Sequence, residues 1–245
     1  MTRDTATERE LPAEGSVVAA RPEAGGAQAT PSFALPEGAS SGLPGPLGET
    51  RIGPRTFAWG TRTFVMGILN VTPDSFSGDG LLADAADSVE ASLALAHEMA
   101  EAGAELLDVG GESSRPGHDV VDSAAEIARV VPVIEALRRT LPDMPLSIDT
   151  TKPTVAAAAI DAGAHLVNDV WGVAPDDSLA RLAAERDVPI VLMHNRAEPR
   201  YGALLPEILG ELEAAIERAL AVGVPRDRIL VDPGFGFGKT LEHNL

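Results

Sequence analysis

Phe64-Val65-Met66-Gly67-Ile68-Leu69-Asn70-Val71-Thr72-Pro73-Asp74-Ser75-Phe76-Ser77-Gly78-Asp79-Gly80 is the stretch whose reading decides the fold. An apolar run from Phe64 to Leu69 stops at a polar residue, Asn70, and gives way to Pro, Gly, Ser and Asp. This is the pattern of a buried strand delivering a loop, and loops carried on rigid strands are where chemistry usually sits. The arrangement recurs down the chain: apolar strand, polar residue at its exit, loop, amphipathic helix.

A helix is expected over about 84–102, with Val89, Leu93, Ala96 and Ala100 on one face and Gly103 as its stop. Further strands are expected over 104–109, 145–149, 165–168, 189–193 and 228–231. Ser123-Ala124-Ala125-Glu126 reads as a capping box opening a helix that Pro132 should kink or split. Pro153 suits the first turn of the next helix. Two more helices follow over 176–187 and 207–222, the latter turning Ile208, Leu212, Ala215 and Ala219 inward before Gly223. Lys239-Thr240-Leu241 reads as the start of a sixth.

Six βα steps with apolar strands predict a parallel α/β sheet covered by helices. Functional-looking residues end every strand rather than clustering at one switch point, which favours a TIM (β/α)8 barrel over an open doubly wound sheet. Upstream, 51–60 predicts a hairpin, and residues 1–50, with six Pro and seven Gly, read as a disordered tail. The barrel domain is then 51–245. Such a barrel takes about 250 residues and the tail leaves roughly 195. With the chain ending at Leu245 inside an apparent helix, the expectation is an incomplete barrel lacking its last two βα units.

Lys+Arg 19 against Asp+Glu 37 gives a net charge of −18, which argues against nucleic acid or an anionic membrane as partner. The absence of cysteine excludes disulfides, thiolate catalysis and Cys-ligated zinc. Without a signal peptide or a long apolar run, a cytoplasmic protein is expected.

The strand exits carry Asn70; Glu112, Ser114 and Arg115; Asp149; Asn168 and Asp169; Met193 and His194; and Asp232. In a parallel barrel all of these share one face, although a polar residue at a strand end can also simply cap the next helix. Two carboxylates and an amide suit a neutral heterocycle rich in adjacent N–H donors. Asn70 is an oxygen ligand suited to Mg²⁺, and Arg115 is the best cation for an anionic group. Gly234-Phe235-Gly236-Phe237-Gly238-Lys239-Thr240 fails the P-loop spacing, because Pro233 stands five before Gly238. The histidines show no HExxH spacing: His97 reads as a helix-face residue, His118 as a loop residue and His194 as a candidate site lining. Trp59 and Trp171 read as packing residues.

At these residues the chain resembles the dihydropteroate synthase family. Gly67–Phe76 (GILNVTPDSF), Asp108–Gly117 (DVGGESSRPG), Ser147–Thr150 (SIDT), Val167–Gly172 (VNDVWG), Met193-His194 and Asp232–Thr240 (DPGFGFGKT) stand in the family's order. The resemblance implies a TIM barrel condensing p-aminobenzoate with (7,8-dihydropterin-6-yl)methyl diphosphate to give 7,8-dihydropteroate and diphosphate. It implies that Asp149, Asn168 and Asp232 hold the pterin, with Met193 and Phe237 lining its slot. Asn70 would bind Mg²⁺ or diphosphate, and Ser114, where the family usually has Thr, the diphosphate substrate. Pro73, Phe76, Arg115 and Pro116 would belong to loops ordering around p-aminobenzoate. Asp149 and Asp232 would act catalytically where positive charge develops as diphosphate leaves.

The family's seventh-strand Ser-Arg-Lys and eighth-strand Arg-x-His segments have no counterpart here, nor do the late helices that form its homodimer. The chain alone is therefore expected to be unstable and inactive. The competing readings are an inactive fragment or non-catalytic pterin-binding paralogue, and a methyltetrahydrofolate-dependent methyltransferase domain, which would not need the Asn70–Gly80 and Glu112–Gly117 loops.

Overall fold

The computed structural model describes residues 47–72, 85–112 and 121–245. Most of the tail expected over 1–50 lies outside them, but its limit is corrected. Glu49 and Thr50 already belong to strand β1 (Glu49–Ile52), where buried Thr50 donates to the Asp227 carbonyl at 2.7 Å.

β1 pairs antiparallel with β2 (Arg55–Ala58) as the expected hairpin. Gly53-Pro54 forms its two-residue turn, with Gly53 at φ 54°. Positive φ at the first central position, followed by proline's fixed φ, matches the twist of the flanking strands.

The remaining strands alternate with helices: β3 (Met66–Asn70), α1 (Ala85–Glu101), β4 (Leu106–Gly110), α2 (Ser123–Thr140), β5 (Leu146–Asp149) and α3 (Pro153–Ala162). β6 (Leu166–Asp169), α4 (Ser178–Arg186), β7 (Ile190–Met193), α5 (Leu204–Ala221) and β8 (Ile229–Asp232) complete the series. The sheet runs β3-β4-β5-β6-β7-β8, parallel at every step. Among the described residues chain order and spatial order coincide without a switch point, so the winding is that of a barrel and not of a doubly wound sheet.

Side chains alternate across this sheet, as the two-residue period of a strand requires. Leu69, Leu107, Val109, Ile148, Val167 and Leu192 face outward into a core closed by Val130, Ile134 and Leu137 of α2, Val155 of α3 and Ala215 of α5. On the concave side, Leu106, Leu166 and Val191 pack on Ile52 and Phe57 of the hairpin. Phe57 stacks on Trp59 with centroids 5.6 Å apart, and Phe64 meets both rings edge-on. The hairpin thus plugs the N-terminal end of the strands and leaves the C-terminal end for a site.

Several local expectations hold. Pro153 opens α3, and the buried residues of α5 are Ile208, Leu212, Ala215 and Ala219. Others are corrected. α2 runs as one helix through Pro132. Its N-cap is Asp122, whose side chain accepts the Ala125 N–H at 2.9 Å, so the capping box at Ser123 does not form. Residues 239–241 are not helical; only a single 3₁₀ turn, Glu242–Asn244, follows them. Trp59 packs as expected, whereas Trp171 is exposed. Among the described residues no helix is long and apolar enough to cross a membrane.

Candidate active site

Hydrogen-bond register aligns the strand ends. Asn70 of β3 pairs with Gly110 of β4, Gly110 with Asp149 of β5, and Asp149 with Asn168 of β6. These four residues form one row across four adjacent strands, at the C-terminal edge and on the concave face. Gly110 leaves a gap in it: a Cβ there would lie 3.6 Å from Asp149 Oδ2 and 3.8 Å from Asn70 Oδ1. Met193 and Asp232 pair with each other at the ends of β7 and β8. Met193 is buried and Asp232 half-buried. The Asp232 carboxylate is oriented by its own turn, Oδ1 accepting the Gly234 N–H at 2.7 Å.

Asp108 lies beneath the row, one inward position before Gly110 on β4. It is buried, and its Oδ2 accepts the Asn168 Nδ2–H at 2.9 Å. Asp149 therefore ionises beside other acids in a poorly solvated place. Its carboxyl is pushed up to about 8, by burial first and then by Asp108, Glu126, Asp169 and Glu112. Burial likewise raises Asp108 above the usual carboxylate range. Asp169 faces away from the concave side and accepts the Trp171 N–H at 3.0 Å; burial lifts it to about 6. It shapes its turn and does not line the mouth.

The loop after β8 is held by its own lysine. Lys239 Nζ donates to the carbonyls of Gly234 at 2.9 Å and Phe237 at 3.0 Å, and lies 3.2 Å from His194 Nδ1. Phe237 is thereby fixed in a half-buried position after Asp232. Tyr201 Oη donates to the Gly238 carbonyl at 2.8 Å, and the Arg196 guanidinium covers the Tyr201 ring at 4.3 Å. His194 does not line the mouth: it is fully buried, with Nε2 3.1 Å from Glu211. Burial and then the Lys239 charge lower its pKa, so it is neutral at pH 7.

The expected Pro73, Phe76, Ser114, Arg115, Pro116 and His118 lie outside the described residues; His97 is exposed on α1, as expected. The sequence reading missed Asp108, although it stands inside the quoted DVGG motif two positions before Gly110, where strand alternation puts both on one face. It also missed Lys152, which ion-pairs with Glu112 and, at 2.7 Å, with Glu126.

The chain matches the model of the pterin binding enzyme family over residues 66–245. It is 47% identical over 195 residues to the dihydropteroate synthase of Clostridium beijerinckii, covering 80% of this chain and 71% of that one. It is also 47% identical over 192 residues to that of Bacillus subtilis, covering 78% and 66%. Among solved structures, Xanthomonas albilineans dihydropteroate synthase with 4-aminobenzoic acid superposes with a TM-score of 0.73 at 42% identity, over 80% of this chain and 70% of that one. The Clostridium difficile enzyme, in the presence of pteroic acid, gives 0.70 at 43% identity over 77% and 70%. The chain thus spans about two thirds of the length of these relatives.

Proposed function

The chain belongs to the dihydropteroate synthase family of pterin-binding enzymes, and from that premise we propose that its mouth binds (7,8-dihydropterin-6-yl)methyl diphosphate and p-aminobenzoate and joins them. The observation that carries this reading is the row Asn70–Gly110–Asp149–Asn168, with Asp232 beyond it. Carboxylates and an amide on one rim suit a flat ring with adjacent N–H donors.

With its carboxyl pushed up to about 8, Asp149 holds a proton at neutral pH. N–H donors from a ring, or positive charge growing on it, favour the carboxylate, and the proton passes to solvent. Asp149 and Asp232 then face the ring as the C–O bond to diphosphate breaks and the arylamine nitrogen bonds to that carbon, its surplus proton passing to solvent, a fixed electrostatic contribution needing no side-chain nucleophile. Met193 and Phe237 supply the apolar walls. Ser114 and Arg115 are assigned to the diphosphate and arylamine side, with Pro73, Phe76 and Pro116.

Among the described residues no cluster of three His, Asp or Glu side chains could hold a metal. Asn70 offers one amide oxygen at an exposed position, which fits an ion that keeps its waters and binds mainly through substrate phosphates. Asn70 would then hold Mg²⁺, whose chemistry when bound is to neutralise leaving-group charge. A cytoplasmic location is inferred with this reading, the net charge of −18 argues against nucleic-acid or anionic-membrane partners, and the family's homodimer is the assembly to look for.

The purified 245-residue chain, assayed with both substrates and Mg²⁺, sets this reading against the expectation of an inactive fragment: calorimetric binding of pteroic acid together with formation of dihydropteroate would support it. Binding without turnover would make it a pterin binder, and loss of both would overturn the reading.

A further inference from the structure

Asn168 makes one side-chain hydrogen bond among the described residues, and it is spent on Asp108. Nδ2 donates to Asp108 Oδ2 at 2.9 Å, from a half-buried amide to a buried carboxyl. The buried hydroxyl of Ser147, register partner of Asp108 on β5, is the other polar group acting on this carboxyl and holds its pKa down against burial. The interior has no packing need for a carboxyl here, since two residues earlier on the same face of β4 it takes Leu106, which packs on the hairpin. A buried acid kept beside another acid costs stability and calls for a reason.

An amide has a donor end and an acceptor end, and a free one offers either to a ligand. We propose that Asp108 is a positioning and specificity-determining residue: by taking one of the two Asn168 amide N–H groups it fixes the nitrogen end inward and turns the Asn168 carbonyl oxygen toward the mouth. Once Asp149 has given up its proton against the ring, the carboxylates of Asp149 and Asp232 and the carbonyl oxygen of Asn168 present a row of acceptors. Such a rim takes a ring through an edge of adjacent N–H donors, an amino group beside a ring N–H, and rejects the same ring presented through an acceptor edge. The penalty for the wrong edge is large because it sets lone pairs against lone pairs in a partly desolvated place. This rests on the pterin reading of the mouth and names the step by which that ring is chosen and oriented.

The test exchanges donor and acceptor. Asp108→Asn keeps shape but replaces the carboxyl that accepts the Asn168 N–H by an amide that can meet it with either end, and should raise the KM for the pterin diphosphate, or the Kd for pteroic acid, about tenfold or more while leaving the arylamine KM unmoved. The double variant Asp108→Asn with Asn168→Asp restores one donor facing one carboxylate, leaves an acceptor for the ring, and should return to within about threefold of the parent. Thermal melting of each variant separates loss of fold from loss of orientation. As a readout independent of ligand, the ¹⁵N side-chain amide of Asn168 should be protected from exchange in the parent and exposed in Asp108→Asn. An unprotected amide in the parent, an Asp108→Asn variant with unchanged affinity, or a double variant no better than the worse single would overturn the proposal. If the parent binds no pteroic acid the pterin reading falls, and the amide signal still decides whether Asp108 fixes Asn168.

Discussion

Lys152, at the start of α3, reaches to 2.7 Å from Glu126 in the first turn of α2, and the Glu126 carboxylate is fully buried. The same ammonium pairs with Glu112, whose Oε1 accepts the Val121 N–H at 3.2 Å. One cation therefore joins two helix beginnings to Glu112, which in turn holds the Val121 N–H. Burial would lower the lysine's pKa, but the bonds from Glu112 and Glu126 raise it above the usual range.

Removing that cation strands two carboxylates, one of them without solvent. Lys152→Met is expected to lose about 3–5 kcal/mol, and Glu126→Gln, which keeps a hydrogen bond, about 1–2 kcal/mol. Urea midpoints measure both; a Lys152→Met loss below about 1 kcal/mol would show that the pairing is not structural.

Asp149 makes stability depend on pH in a defined direction. Its carboxyl stands near 8 in the folded chain and near 3.9 unfolded. Between those values the folded state binds the extra proton, so stability falls as pH rises from about 4 to about 8 and is level beyond. Asp169, lifted to about 6, adds the same slope over the lower part of that window. Asp149→Asn should therefore melt about 4–8 °C above the parent at pH 8 and near it at pH 4, while losing ligand affinity. Matching melting curves at both pH values would contradict this.

The same ionisation should mark ligand binding. In free protein kcat/KM for the pterin substrate is expected to rise through an apparent pKa near 8. That inflection should vanish in Asp149→Asn.

Lys239→Met leaves the Gly234 and Phe237 carbonyls without their charged donor. A loss of about 1–3 kcal/mol is expected, felt in the loop carrying Phe237. Amide exchange over 233–239 should accelerate and ligand affinity fall, with exchange in the α2 core unchanged; uniform acceleration would point to global destabilisation instead.

Gly110→Ala separates folding from binding. A methyl there meets nothing nearer than 3.6 Å, and replacing a strand glycine should stabilise the chain by about 0.5–1 kcal/mol. The methyl also fills the gap between Asn70 and Asp149, so pteroic acid should bind at least about tenfold more weakly. Unchanged affinity would mean that the gap is not occupied by ligand.

Local chemistry was the legible part of this sequence. Pro153 at a first turn and the four inward residues of α5 follow from neighbours a few positions away, and the structure has them where periodicity puts them. Glu126 misled because its spacing from Ser123 suits a capping box, while its partner Lys152 stands 26 residues on, beyond any local pattern. Lys239 misled similarly: it looks like a good helix former, yet the carbonyls of its own loop take its ammonium. Asp108 was hidden because its role exists only after β4 and β6 are brought to either side of β5, a matter of register rather than of motif.

Neighbouring strands in any sheet stand about 4.8 Å apart, so the rung that runs from Asn70 through Gly110 to Asp149 is also a ruler. Its two ends are separated by two backbone spacings, about 9–10 Å before curvature. On the pterin reading, a molecule gripped by its ring at the acid end would be gauged at the amide end by how far its tail extends. That interval is set by main-chain hydrogen bonding, so side-chain substitutions can alter the grip at either end but not the measured length.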